Sequence, residues 1–218
     1  KLAFKPYRYY LLTGTPGSLS NWMLVLLARM LGKKVLAWTH GMKGANTTFG
    51  TFVERNFYRL CHRILLYGEY SRDIMLKEGF APECLVPIYN SLEYETQLEV
   101  RKRLKPSGIY SEKFGNEHPV LIYIGRIQRS KRLDLLVEAL RELRDSGATY
   151  NLVLIGAATD TYEIPKLVAK YQLESRVWFY GPCYEEKKIG ELLYNADLLV
   201  SPGPIGLTAL HAATYGVP

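Results

Sequence analysis

The chain has 218 residues, 48% hydrophobic and 12% aromatic with 17 tyrosines, which excludes a disordered chain and suffices for one large core or two modest ones. A formal net charge of +7 favours an anionic partner: nucleotide phosphate, an acidic lipid surface or nucleic acid. Cys61, Cys84 and Cys183 lack metal-ligand spacing and predict reduced thiols in a cytosolic compartment. The longest strictly apolar run, WMLVLLA at 22–28, is far short of the ~20 residues of a spanning helix.

Strand and helix patterns alternate from the start. YYLLTG (9–14) reads as a short buried strand, and LSNWMLVLLARMLGKK (19–34) as a helix capped by Ser18 or Ser20 and stopped at Gly32. VLAWTHG (35–41), RILLYG (63–68) and CLVPIYN (84–90) read as strands. FVERNFYRLCH (52–62) and EYSRDIMLKEG (69–79) read as the helices between them. Such alternation predicts parallel β-α-β units with a sheet covered on both faces.

From 93 to 119 the regularity lapses. The charged stretch with Pro106, Gly108, Gly115 and Pro119 reads as a hinge plus a surface excursion. The domain boundary is therefore expected near Lys105, giving an N-terminal unit over 1–105 and a C-terminal unit over 106–218. The basic cluster Arg101–Lys102–Arg103 reads as solvated surface.

The second block is more regular. VLIYIG (120–125), LVLIG (152–156), VWFYG (177–181) and DLLVSP (197–202) read as strands. SKRLDLLVEALREL (130–143) is a helix with an apolar stripe at Leu133, Leu136, Val137, Leu140 and Leu143. YEIPKLVAKYQL (162–173), EEKKIGELLYNA (185–196) and GLTALHAATYG (206–216) are further helices. The first block lacks an opening β-α unit and the second stops where another strand is due, so both domains read as truncated parts of a longer chain.

Ligands of open parallel sheets bind beyond the carboxyl ends of strands. In GRIQRSKR (125–132), Gly125 ends a strand and Ser130 is the expected helix cap. Arg126, Arg129, Lys131 and Arg132 then crowd a helix N-terminus, where positive charge is disfavoured unless an anion such as a diphosphate sits there. Arg126 and Lys131 are the candidates, while Arg129 and Arg132 are expected to turn to solvent.

IYIGRIQRSKRLDLLVEAL resembles the donor-site signature of retaining glycosyltransferases of the GT-B fold, glycosyltransferase family four (glycosyl transferases group 1). In that family a strand ends in Gly-Arg and a lysine follows five residues after the arginine, here Gly125, Arg126 and Lys131. WTHG, VPIYNSLE, VWFYG and NADLLVSP match in order, so the resemblance covers most of the chain. It implies two Rossmann-like doubly wound α/β domains facing a cleft, with the nucleotide-sugar in the C-terminal one.

The family's closing motif is Glu-x-Phe-Gly-Leu-x-x-x-Glu. Aligned on Gly206-Leu207, this chain has Gly203 in place of the first glutamate and His211 in place of the second. The resemblance implies that Arg126 and Lys131 neutralise the donor diphosphate. Backbone amides of Leu207 and Thr208 assist them, and His211 meets a ribose hydroxyl. The plain alternative for His211 is a half-buried helix histidine with no ligand. His40, at a strand end, is implied to lie beside the transferred sugar, against the alternative of a turn residue bonded to backbone. Tyr184, just past a strand end, is a candidate flank for the nucleobase.

The implied activity is transfer of a hexose-type sugar from a nucleotide-diphosphate donor to a glycan or lipid-linked acceptor, in cell-surface polysaccharide biosynthesis. No Asp-x-Asp, nucleophile elbow, Walker loop or dinucleotide fingerprint occurs, so neither a metal nor a cofactor beyond the nucleotide-sugar co-substrate is expected. A cytoplasmic location with peripheral contact on an anionic inner membrane is the matching expectation. A non-catalytic nucleotide-sugar-binding module and a GT-B sugar-nucleotide epimerase remain the alternatives. A nucleic-acid binder ranks last, because no basic face interleaved with aromatics is present.

Overall fold

The computed structural model describes residues 4–42, 49–159 and 163–218. The chain divides into two compact units, Lys1–Asn90 and Ser91–Pro218. The boundary anticipated at Lys105 falls inside the second unit.

The first unit runs β1 (Tyr9–Thr13), α1 (Leu19–Met30), β2 (Lys34–Thr39), α2 (Phe49–Arg59), β3 (Arg63–Leu66), α3 (Glu69–Lys77) and β4 (Leu85–Pro87). Its four strands are all parallel and lie in sequence order, β1-β2-β3-β4. Alternate residues Tyr10, Leu12, Val35, Ala37, Ile64 and Leu66 are buried in one core with Val25, Ala28, Phe57 and Met75 from the helices. The other face does not match the expectation of cover on both sides. Tyr9, Leu11, Trp38 and Val86 are 36–58% exposed. The reason is topological: successive right-handed crossovers that step in one direction place their helices on one face.

The second unit contains α4 (Tyr94–Arg101), α5 (Ile109–Phe114), β5 (Val120–Ile124), α6 (Leu133–Asp145), β6 (Asn151–Ile155), α7 (Ile164–Lys170), β7 (Val177–Gly181), α8 (Glu186–Tyr194), β8 (Leu198–Leu199) and α9 (Thr208–Tyr215). The start expected for α7, at 162, lies outside the described residues. The parallel strands are ordered β7-β6-β5-β8, so the winding reverses between β5 and β8. Both faces are packed, as the near-continuous apolar runs of β5 and β6 require. Leu121, Tyr123, Leu152 and Leu154 meet α6 and α7 on one side. Val120, Ile122, Val153 and Ile155 meet α5, α8 and α9 on the other.

The stretch read as a hinge and surface excursion holds the two helices α4 and α5, and both are anchored. Tyr110 is buried and its hydroxyl donates to the Leu192 carbonyl at 2.6 Å. Arg101 was read as solvated surface, yet its guanidinium donates to the Thr214 carbonyl at 2.6 Å, near the C-terminus of α9. A cation is favoured there by the helix dipole. Among the described residues no helix is long and apolar enough to cross a membrane.

Burial in the first unit's core pushes the Tyr58 hydroxyl and the Cys61 thiol each up to about 12. Both are acids raised by folding, so the unfolded chain deprotonates first as pH rises. Stability is intact below the ordinary thiol range and falls as pH climbs from about 9 toward about 12. Urea midpoints measured across that range are expected to be flat up to pH 8 and to fall above it. Cys61→Ala should delay the onset of the fall, and an unchanged onset would show that the thiol takes no part.

Candidate functional site

The reversal of winding between β5 and β8 is the place where a doubly wound sheet opens a ligand crevice. Gly125 follows β5 with φ +153° and Gly156 follows β6 with φ +153°. The two strand ends touch there: a Cβ on Gly156 would lie 1.8 Å from the Gly125 carbonyl oxygen. A Cβ on Gly125 would lie 2.9 Å from the Tyr123 hydroxyl. That hydroxyl donates to the Arg126 carbonyl at 2.9 Å and holds the turn. Burial raises Tyr123 to about 12, so it remains a donor at any ordinary pH.

Past the glycines the two connections continue side by side. The Ile127 amide donates to the Ala157 carbonyl at 2.9 Å, and the Thr159 amide to the Ile127 carbonyl at 3.2 Å. Between these connections and the end of β7 lies a cleft of about 320 Å³. Gly125, Arg126, Gly156, Thr159, Cys183 and Tyr184 are among the residues that line it. Three anticipated residues thus share one wall system: Gly125, Arg126 and Tyr184. Arg126 is exposed and has no ion pair among the described residues.

The helix start expected at Ser130 is displaced. Arg129–Lys131 forms a 3₁₀ turn, Arg132 sits in the left-handed region with φ 52°, and α6 begins at Leu133. Asp134, not a cation, occupies the first turn, and Arg132 pairs with it at 3.1 Å. The macrodipole of α6 is therefore complemented by an acid. The cations thus stand at and just before the start of α6, Arg132 at the cap and Arg129 and Lys131 in the turn ahead of it, and not inside its first turn.

Lys131 instead reaches the loop after β8, where its ammonium donates to the Pro204 carbonyl. The backbone of the same loop presses on the lysine's own. A Cβ on Gly203 would lie 2.6 Å from the Ser130 carbonyl oxygen and 2.7 Å from the Lys131 Cα. Any side chain at 203 would have to move main-chain atoms, which explains why a glutamate cannot stand there. Gly206 and Leu207 lead into α9, and the Thr208 hydroxyl donates to the Ile124 carbonyl at 3.2 Å. The first amides of α9 are left without helical partners by the geometry of a helix start.

His211 is buried, at 8% exposure. Its Nε2 lies 2.8 Å from Glu186 Oε1, and the Tyr215 hydroxyl donates to the same oxygen at 2.7 Å. That nitrogen is engaged by Glu186 and is not free to contact a ligand. His40 belongs to the first unit, exposed just after β2, with its ring centroid 4.3 Å from that of Tyr67.

Gly156, Thr159, Cys183 and Glu186 escaped the reading of the sequence. Gly156 carried a usable signal, since LVLIG repeats the strand-then-glycine pattern of VLIYIG. Glu186 carried none, because its partners lie 25 and 29 positions away.

The model of the family described as glycosyl transferases group 1 matches residues 109–218. A glycogen synthase of Erwinia tasmaniensis is 26% identical over 167 residues, 75% of this chain and 30% of the relative. The crystal structure of Anabaena HepE in complex with UDP superposes with a TM-score of 0.72 at 18% identity, over 97% of this chain and 58% of that one. The lipopolysaccharide outer core galactosyltransferase WaaB superposes at 0.66 and 17% identity, over 100% of this chain and 57% of that one. The chain thus spans less than a third of the matched glycogen synthase and under three fifths of each superposed structure. The structural likenesses bear out the GT-B fold of two parallel four-stranded sheets. With half the chain, the whole β5–α9 region, matched by the family model, the protein belongs to the glycosyl transferases group 1 family.

Proposed function

We propose that this chain is the donor-binding part of a glycosyltransferase that moves a hexose-type sugar from a nucleotide diphosphate to a glycan or lipid-linked acceptor. The reading includes retention of configuration, no metal, and a role in cell-surface polysaccharide assembly. The observation that carries it is the cleft beyond the carboxyl ends of β5, β6 and β7, walled by Gly125, Arg126 and Tyr184. A relative bound to UDP and another that is a lipopolysaccharide galactosyltransferase support the donor and acceptor classes.

In this reading the base enters the cleft beside Tyr184 and the diphosphate lies over the turn after β5. Arg126 offers a guanidinium to the phosphates. Lys131 spends one ammonium hydrogen on Pro204 and keeps two for the same charge. The amides of Leu207 and Thr208 face the anion at the start of α9. With the diphosphate neutralised, its oxygen can take the acceptor proton as the glycosidic bond to the leaving group breaks. The protein's part is to position and to stabilise charge. His40 is assigned to the transferred sugar by resemblance alone.

Peripheral membrane contact on the cytoplasmic face belongs to the same proposal and rests on how the charge is distributed. Lys and Arg outnumber Asp and Glu by 12 to 5 in residues 1–90 and match them 16 to 16 in residues 91–218. Near-surface cations contribute about 1 kcal/mol each on an anionic bilayer. The second reading, a nucleotide-sugar binder without turnover, is favoured by Gly203 and by the engaged Nε2 of His211. Donor binding with no product over a wide acceptor panel would select it.

Two measurements test the site. Calorimetric titration of UDP, GDP, ADP and CMP is expected to show tight binding of one nucleotide. Arg126→Ala and Lys131→Ala should each weaken it tenfold or more, about 1.4 kcal/mol; no binding, or no effect of either substitution, removes the diphosphate assignment. Gly203→Glu is expected to lower stability by about 1–3 kcal/mol through overpacking and to weaken nucleotide binding. Tighter binding in that variant would show that the loop accepts the carboxylate after all.

A further inference from the structure

We propose that Glu186 is the residue of this chain that accepts hydrogen bonds from the ribose hydroxyls of the bound nucleotide, with His211 and Tyr215 as positioning residues acting through it. This rests on the nucleotide-sugar reading above.

Glu186 opens α8, with its side chain 28% exposed. One carboxylate oxygen, Oε1, takes both Nε2 of His211 and the hydroxyl of Tyr215. A carboxylate can only accept, so His211 carries its proton on Nε2. Burial, then the bond to Glu186, raises Tyr215 above the ordinary phenol range and keeps it a donor. The two donors lie one helical turn apart on α9 and are themselves buried, at 8% and 2% exposure. They fix the carboxylate in one orientation. Among the described residues nothing donates to the second oxygen, Oε2.

The two helices that build this group both start at the cleft. α8 follows directly on Pro182, Cys183 and Tyr184, which wall it. α9 begins with Thr208 bonded to the carbonyl of Ile124, another wall residue. Their close approach is built in, because a Cβ on Gly190 of α8 would lie 2.7 Å from the Tyr215 ring.

A pre-oriented carboxylate oxygen with spare lone pairs repels phosphate and selects O–H or N–H donors. Between a base beside Tyr184 and a diphosphate at Arg126 stands the ribose, whose vicinal hydroxyls are such a donor pair.

The test is calorimetry with UDP, GDP, ADP and CDP, followed by the 2′-deoxy and 2′,3′-dideoxy forms of whichever binds. The unmodified chain is expected to lose about tenfold on removal of the hydroxyls, which is about 1.4 kcal/mol. Glu186→Gln and Glu186→Ala should bind the ribo and dideoxy forms within twofold of each other, at the level of the unmodified chain with the dideoxy form. His211→Ala should lose most of the discrimination and His211→Gln, which restores an N–H donor, should regain part of it. If folded Glu186 variants keep the tenfold preference, or lose base selectivity instead, the ribose assignment is overturned while the donor site stands. If the unmodified chain binds no nucleoside diphosphate, this assignment and the reading beneath it fall together.

Discussion

The close approach of Gly125 and Gly156 is the constraint on which the rest of the second unit's site depends. A methyl group at 156 would occupy the position of a carbonyl oxygen, so the two strand ends can lie in contact only with glycine there. Once they touch, the connections leave the sheet as a pair, bonded through Ile127 and Ala157. Their divergence from the end of β7 opens the cleft. Tyr123 then turns the chain so that Arg126 faces the opening, using a hydroxyl held protonated by burial. Sheet packing, backbone conformation and the placing of one cation are thus a single arrangement.

A second close contact limits what can stand at position 203. The loop after β8 lies against the main chain of Ser130 and Lys131, and Gly203 is the point of contact. Lys131 completes the attachment through the Pro204 carbonyl. A glutamate in this loop and a loop seated on the 3₁₀ turn exclude each other sterically. The chain has the second of these.

How much of this was legible in the sequence follows from the range over which each signal acts. Strands ending in glycine, and the apolar stripe from Leu133 to Leu140, are local patterns, and the elements they predicted are present. The strand end at Gly125–Arg126 was legible for the same reason. The segment carrying α4 and α5 was not. Its apolar residues Val100, Leu104, Ile109, Tyr110 and Phe114 follow no single period, and they earn their burial only against Trp178 and the helices of the second unit. Ser130 misled because it is a good cap by composition, while a 3₁₀ turn over Arg129–Lys131 and a left-handed Arg132 delay α6 to Leu133. In the first unit, apolar runs suggested two covered faces, yet among the described residues the parallel order leaves Tyr9, Leu11 and Trp38 on an open one.

His211 shows the same limit in chemical form. Read along the chain, it is a lone imidazole, and the resemblance alone sets it where the family has an acid. Read across the interface of α8 and α9, the acid is one bond away. Its orientation is set by the histidine and by a tyrosine one turn further on. A carboxylate held from two sides is better fixed than one on a flexible stem, since less rotamer freedom remains to be lost on binding. Glu186 thus sets a carboxylate on the helix beside His211, held there by the histidine and by Tyr215.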